Sequence, residues 1–229
     1  MRLIISVFIS LLIVLSSNAA TNSALDENLL KQELKALESS KNPKDIETVQ
    51  AIQGALNWLS DAKEYDAKAK TYQEAIDNFP TIVKTLRKNI LNQPDQPPRI
   101  AENISLSELD QRIIRISSQL LDQSRQIQQE QDRGREISES LGLLPQQLSE
   151  ARKLLSDATN RAQGLSSSGT PLSEAQSAIA QAEVSARKSK VNELEMAQLS
   201  ANNRQEISRM SLELYKKRYQ LLELELQQL

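Results

Sequence analysis

From Leu106 to Leu165, inward-type positions recur at alternating intervals of three and four without a break in phase. They are Leu106, Leu109, Ile113, Ile116, Leu120, Gln123, Ile127, Glu130, Gly134, Ile137, Leu141, Leu144, Leu148, Ala151, Leu155, Ala158, Ala162 and Leu165. That spacing is the a/d seam of a helix packed on another helix. It predicts an all-α fold, an elongated antiparallel coiled coil or helical bundle with no β-sheet.

Other segments repeat the pattern. Leu30, Leu34 and Leu37 mark a short helix from about Leu25 to Ser39, which Asn42-Pro43 ends because the residue before proline avoids helical geometry. Ser40 or Asn42 then caps a second stretch. It carries Ile46, Val49, Ile52, Leu56 and Leu59, changes phase, and continues as Tyr65, Ala69, Tyr72, Ile76, Phe79, Val83, Leu86 and Ile90. Pro80 predicts a kink or a restart in it. Residues 20–91 thus form the first helical region, and 92–104, with Pro94, Pro97 and Pro98, read as a connector.

Ser105 and Glu108 have the spacing of a capping box and open the long segment 105–163 as a helix or a hairpin. Gly142-Leu143-Leu144-Pro145 combines a helix stop with a residue suited to a first turn, and a turn is favoured there over one continuous helix of about 90 Å. A Gly/Ser loop follows at 164–171. Thr170-Pro171 caps a last helix over 172–229, with Leu172, Ala175, Ile179, Ala182 and Ala186 on one face.

The end of that helix carries two apolar seams. One is Ile207, Met210, Leu214, Leu221 and Leu224; the other is Leu212, Tyr215, Tyr219, Leu222, Leu226 and Leu229. A helix apolar on two sides needs two neighbours. The chain stops in mid-pattern, so a partner helix is expected to pack on the second seam, supplied by another molecule or by sequence beyond residue 229.

Composition narrows the chemistry. The 229 residues include no Cys and no His, so thiolate and imidazole ligands and Ser–His or Cys–His nucleophile systems are absent. Neither a cofactor nor a metal is expected, and no catalytic residue is assigned. The pairs Glu193/Glu195 and Glu223/Glu225 lie two apart, point to different faces and read as solvated charge. Lys216-Lys217-Arg218 reads as a solvated face, and Trp58, Tyr65, Tyr72 and Phe79, at seven-residue spacing, as core. Gln123, Glu130 and Gly134 interrupt the long seam, either as a register device or as a loosely packed wet stretch. A formal net charge of −2 argues against nucleic acid or an anionic membrane surface as partner.

The N-terminus speaks to compartment. Arg2, the apolar run Leu3 to Leu15 and Ser17-Asn18-Ala19 form a secretory signal pattern, expected to be removed after residue 19 or 20. That run covers only about 20 Å as a helix, short of a hydrocarbon core of about 30 Å. Nothing later in the chain is long and apolar enough for a span.

Specific runs add a resemblance. Asn192 to Glu206, especially Leu-Ser-Ala-Asn-Asn-Arg-Gln-Glu at 199–206, then Gln119 to Ser138, Leu144-Pro145-Gln146-Gln147 and Ala75 to Pro80 resemble the N-terminal periplasmic, porin-type helical region of the large mechanosensitive channels of the MscS superfamily. The resemblance implies a periplasmic helical domain of a tension-gated, inner-membrane ion channel that protects cells from osmotic downshock. It implies as partners the helices of the rest of the channel or of other subunits, in a homo-oligomer when full length, with membrane attachment only through spans this chain lacks. Neither nucleic acid nor a small-molecule substrate is implied. The alternative is a stand-alone periplasmic coiled-coil adaptor that binds a partner helix.

Overall fold

The computed structural model describes residues 25–38, 40, 42–100, 104–165 and 169–229. The signal segment lies outside the described residues. Four helices follow one another: α1 Glu27–Leu37, α2 Pro43–Leu91, α3 Leu106–Gly164 and α4 Pro171–Gln227. Among the described residues there is no strand.

Each start has a local cause. Asp26 accepts from the Asn28 and Leu29 N–H groups and begins α1. The Asn42 carbonyl accepts from the Ile46 N–H at 3.2 Å, with Pro43 as the first helical residue of α2. The Ser105/Glu108 capping box is formed at α3, and Thr170 caps α4 with Pro171 in the first turn. These groups occupy N–H donors that a helix start otherwise leaves open.

Two prolines sit inside helices. Pro80 is exposed within α2, which neither stops nor restarts there. The turn favoured at 142–145 is absent, and α3 runs through Pro145 as one helix of 59 residues, about 90 Å long. Proline in a helix interior costs about 3 kcal/mol. Here Leu144, Leu148 and Ala151 stay in phase across it and bury against Leu194 and Ala197 of α4. A turn would take Leu144 out of that cluster, and burying a Leu side chain is itself worth about 1.5–3 kcal/mol. Pro145 and Gly142 both face outward, so the donor is lost where water replaces it.

The arrangement follows from the two reversals, at 92–104 and around 165–170. α3 runs antiparallel to α4: Arg112 bonds Glu225, Ser208 bonds Glu130, and Arg161 bonds Glu183. α2 runs parallel to α4, since Trp58 lies by Arg187, Tyr72 by Arg204, and the Ile90 carbonyl by Lys217. α2 and α3 pack on α4 and not on each other, and α1 folds back on α2. α4 thus has two neighbours, α2 and α3, within the same chain.

Small side chains let α4 serve both neighbours. Ala182, Ala186 and Ala201 are fully buried, and Ser200, Ser208 and Ser211 are buried with them. Short side chains bring helix axes toward the lower end of the 8–10 Å range. Near the α1 end, Leu30, Ile52, Ala55, Ala175 and Ala182 form one core, with Trp58 and Ile179 beside it.

Candidate functional site

The candidate site is the set of interfaces that α4 makes. On α3, Ile116, Ile137, Leu144 and Leu148 are buried, Ile116 completely, and Leu109, Ile113, Leu120, Ile127, Leu141 and Leu155 are half-buried. Leu106, at the start of the expected seam, is 80% exposed, and Leu165 at its end is exposed too.

The interruptions of this seam are not alike. Glu130 is only 6% exposed; its Oε1 accepts from Arg133 at 2.7 Å, and its Oε2 is buried without a hydrogen-bond partner. The Ser208 hydroxyl donates to the Glu130 carbonyl at 3.0 Å and fixes α4 against α3 at that level. One turn on, Gly134 leaves the space beside Ser208, where an added Cβ would stand 3.7 Å from its Oγ. Gln123 Oε1 is also buried without a partner. A groove of about 470 Å³ opens alongside, lined by Glu130, Gly134, Gln205 and Leu212 among others.

The acidic pairs differ from the expected solvated charge. Glu193 is buried and accepts from Lys190 at 2.8 Å. Glu225 meets Arg112 at 2.7 Å with both side chains under 20% exposed, and Glu195 meets Arg152 at 2.8 Å. These three carboxylates are used in interhelical or local pairing, and Glu223 alone of the four is exposed as expected. Lys217 likewise reaches the Ile90 carbonyl at 3.3 Å, while Lys216 is exposed.

The aromatic positions of α2 carry a feature that spacing alone does not reveal. Arg187 lies over the Trp58 ring, Lys190 over Tyr65 and Arg204 over Tyr72, each 4.7 Å from the ring centroid. A cation within about 6 Å of a ring face is attracted by its quadrupole. These cations recur at no regular interval along α4, so the missing signal is the register between α2 and α4.

The expected partner seam, Leu212, Tyr215, Tyr219, Leu222, Leu226 and Leu229, is half-buried throughout. Leu222 lines a cavity of about 330 Å³ with Pro94, Pro97, Pro98 and Gln123, so the connector folds over it. A hydrogen bond to Glu223 pushes the Tyr219 phenol up from its ordinary value. Elsewhere, hydrogen bonds from Lys31 and Lys63 hold Glu27 down at about 2, tying α1 to α2. The Arg209 hydrogen bond lowers Glu206, and burial raises Glu33. Among the described residues, no group of three or more acidic side chains gathers as a metal site, and no helix is long and apolar enough to cross a membrane.

The geometry describes long helices packed along one another within one chain. Residues 33–229 match the family model described as the mechanosensitive ion channel porin domain. The chain belongs to that family. It is 43% identical over 229 residues to the miniconductance mechanosensitive channel MscM of Escherichia coli strain K12, covering all of this chain. The chain spans about a fifth of that relative, 20% of its length. No solved structure matches it. Both the family's description and the relative's name are those of mechanosensitive channels.

Proposed function

We propose that this chain is the periplasmic helical domain of a tension-gated mechanosensitive channel that protects cells during osmotic downshock, and that it braces the channel and biases its closed–open equilibrium. The observation that carries the reading is the family match over 33–229, together with 43% identity to a mechanosensitive channel over the whole chain. The secretory signal pattern at residues 1–19 supports the periplasmic placement. The fold supports the mechanical part: α4 is held along its length by α2 and α3, through buried small residues, ring–cation contacts and ion pairs.

A brace shifts gating only by the difference in its interaction with the two states. A bundle that contacts both states equally adds mass and no bias. The partners in this reading are helices of the rest of the channel or of neighbouring subunits, in a homo-oligomer.

The test is survival of hypo-osmotic shock. In cells lacking other mechanosensitive channels, the E. coli channel is compared with a version whose matching fifth is removed and with one in which this chain replaces it. The reading expects impaired survival after removal and recovery with the graft. Full survival after removal, with equal channel abundance, overturns it.

A further inference from the structure

The net charge of −2 averages over an uneven surface. At the end of α2, Phe79, Val83 and Leu91 floor an open groove of about 590 Å³, and Lys84, Arg87 and Lys88 wall it, with no acidic side chain in the lining. All three cations are exposed, and none forms an ion pair with a described carboxylate. Arg87 comes near Glu206, whose two carboxylate oxygens are already held by Arg209 at 2.8 Å.

A second observation concerns apolar exposure at the same end. Lys217 reaches the Ile90 carbonyl and, eight residues further along α4, Glu225 is bonded by Arg112, so α2 ends about 12 Å along the bundle from the level where the start of α3 pairs with α4. Leu91 is 80% exposed beside the cations; Leu106, Ile114 and Leu121 of α3 and Leu224 of α4 are exposed as well. Exposed apolar side chains beside unpaired Lys and Arg suit an interface where the cations meet phosphates and the apolar groups reach the acyl boundary. An acidic helix would instead need a single track of anchors three and four residues apart. Here the apolar groups are distributed over three helices at one end.

We propose that this end of the bundle docks on an anionic phospholipid surface through Lys84, Arg87 and Lys88, with Leu91 entering the headgroup region. The docking is a property of the bundle itself and is tested apart from the channel reading. The chain from residue 20, the form expected after signal removal, is sedimented with vesicles of phosphatidylcholine alone or with one third phosphatidylglycerol. The triple variant Lys84→Glu, Arg87→Glu, Lys88→Glu changes only exposed side chains, and circular dichroism checks that it folds.

The expected result is binding to the anionic vesicles at least tenfold tighter than to neutral ones, lost in high salt and in the triple variant. Leu91→Ser weakens it by several fold. Equal binding to both vesicle types, or undiminished binding by the triple variant, overturns the proposal. So does absence of vesicle binding, and capture of a synthetic leucine–glutamate amphipathic helix in its place would assign the groove to an acidic protein partner.

Discussion

Replacing Glu130 by leucine is expected to stabilise the bundle, although it removes an ion pair. The side chain is 6% exposed in the α3–α4 interface, and its Oε2 has no hydrogen-bond partner. A buried polar atom left unsatisfied costs about 1–3 kcal/mol. Its one ion-pair partner among the described residues, Arg133, is 59% exposed and three residues away on the same helix, a geometry worth about 0.3–0.5 kcal/mol. Leucine is no larger, forms helix better, and continues the seam between Ile127 and Ile137. The bond from Ser208 goes to the backbone carbonyl and survives the change. The net expectation is a gain of about 1–3 kcal/mol, in line with other replacements of buried ion pairs by apolar side chains. Urea unfolding of the chain from residue 20, followed by circular dichroism, reads it as a raised midpoint with unchanged slope. Arg133→Ala completes the cycle: alone it destabilises by about 0.3–0.5 kcal/mol, the worth of the pair, and in the Glu130→Leu background it is neutral. A lowered midpoint for Glu130→Leu refutes the argument, because it would mean that the carboxylate is satisfied in this interface.

The same interfaces yield further expectations. Gly142→Ala adds about 0.8–1 kcal/mol of stability in a continuous α3, where nothing lies within 4 Å of the new Cβ, whereas a turn at that point would make the change costly; urea midpoints distinguish the two. A double-mutant cycle with Tyr72→Leu and Arg204→Met gives a coupling of about 0.5–2 kcal/mol, and a value near zero would remove the ring–cation contact from the account. Ile116→Ala, at a fully buried position, costs about 2–5 kcal/mol in the same unfolding assay. Glu27 titrates near 2 in the fold against 4.5 unperturbed, because Lys31 and Lys63 bond its carboxylate. A depressed carboxylate stabilises fully above its unfolded value and loses that contribution as protons bind. The docking of α1 on α2 therefore weakens as pH falls from about 4.5 toward 2, and amide exchange in 27–37 accelerates over that window, an effect absent in Glu27→Gln.

Much of the fold is legible because long helices write their period into the chain. The starts at Ser105 and Thr170 rest on side chain to backbone bonds within three residues, so local sequence contains them. The expectation of a turn at 142–145 fails for the opposite reason. Gly142 and Pro145 are local stop signals, and what overrides them is the burial of Leu144 and Leu148 against residues about fifty positions away. The charges follow the same rule. Glu193 and Glu225 look solvated in sequence because each lies two residues from another glutamate and so on a different face from it, and only the helix register brings Arg112 to Glu225. The parallel course of α2 and α4 is equally out of reach, since an apolar stripe identifies a packing face and not the direction of what packs on it. The second seam of α4, which the sequence reads as awaiting a partner helix, is half-buried, with the prolines of the connector against Leu222.

The central claim is that the bundle biases gating, and the most direct measurement is the membrane tension at half-opening in excised patches. It is recorded for the E. coli channel, for the version lacking the matching fifth, and for the version carrying this chain in its place. The account predicts a shifted gating tension after removal and a return toward the original with the graft, at unchanged single-channel conductance. Identical tensions in all three would contradict it.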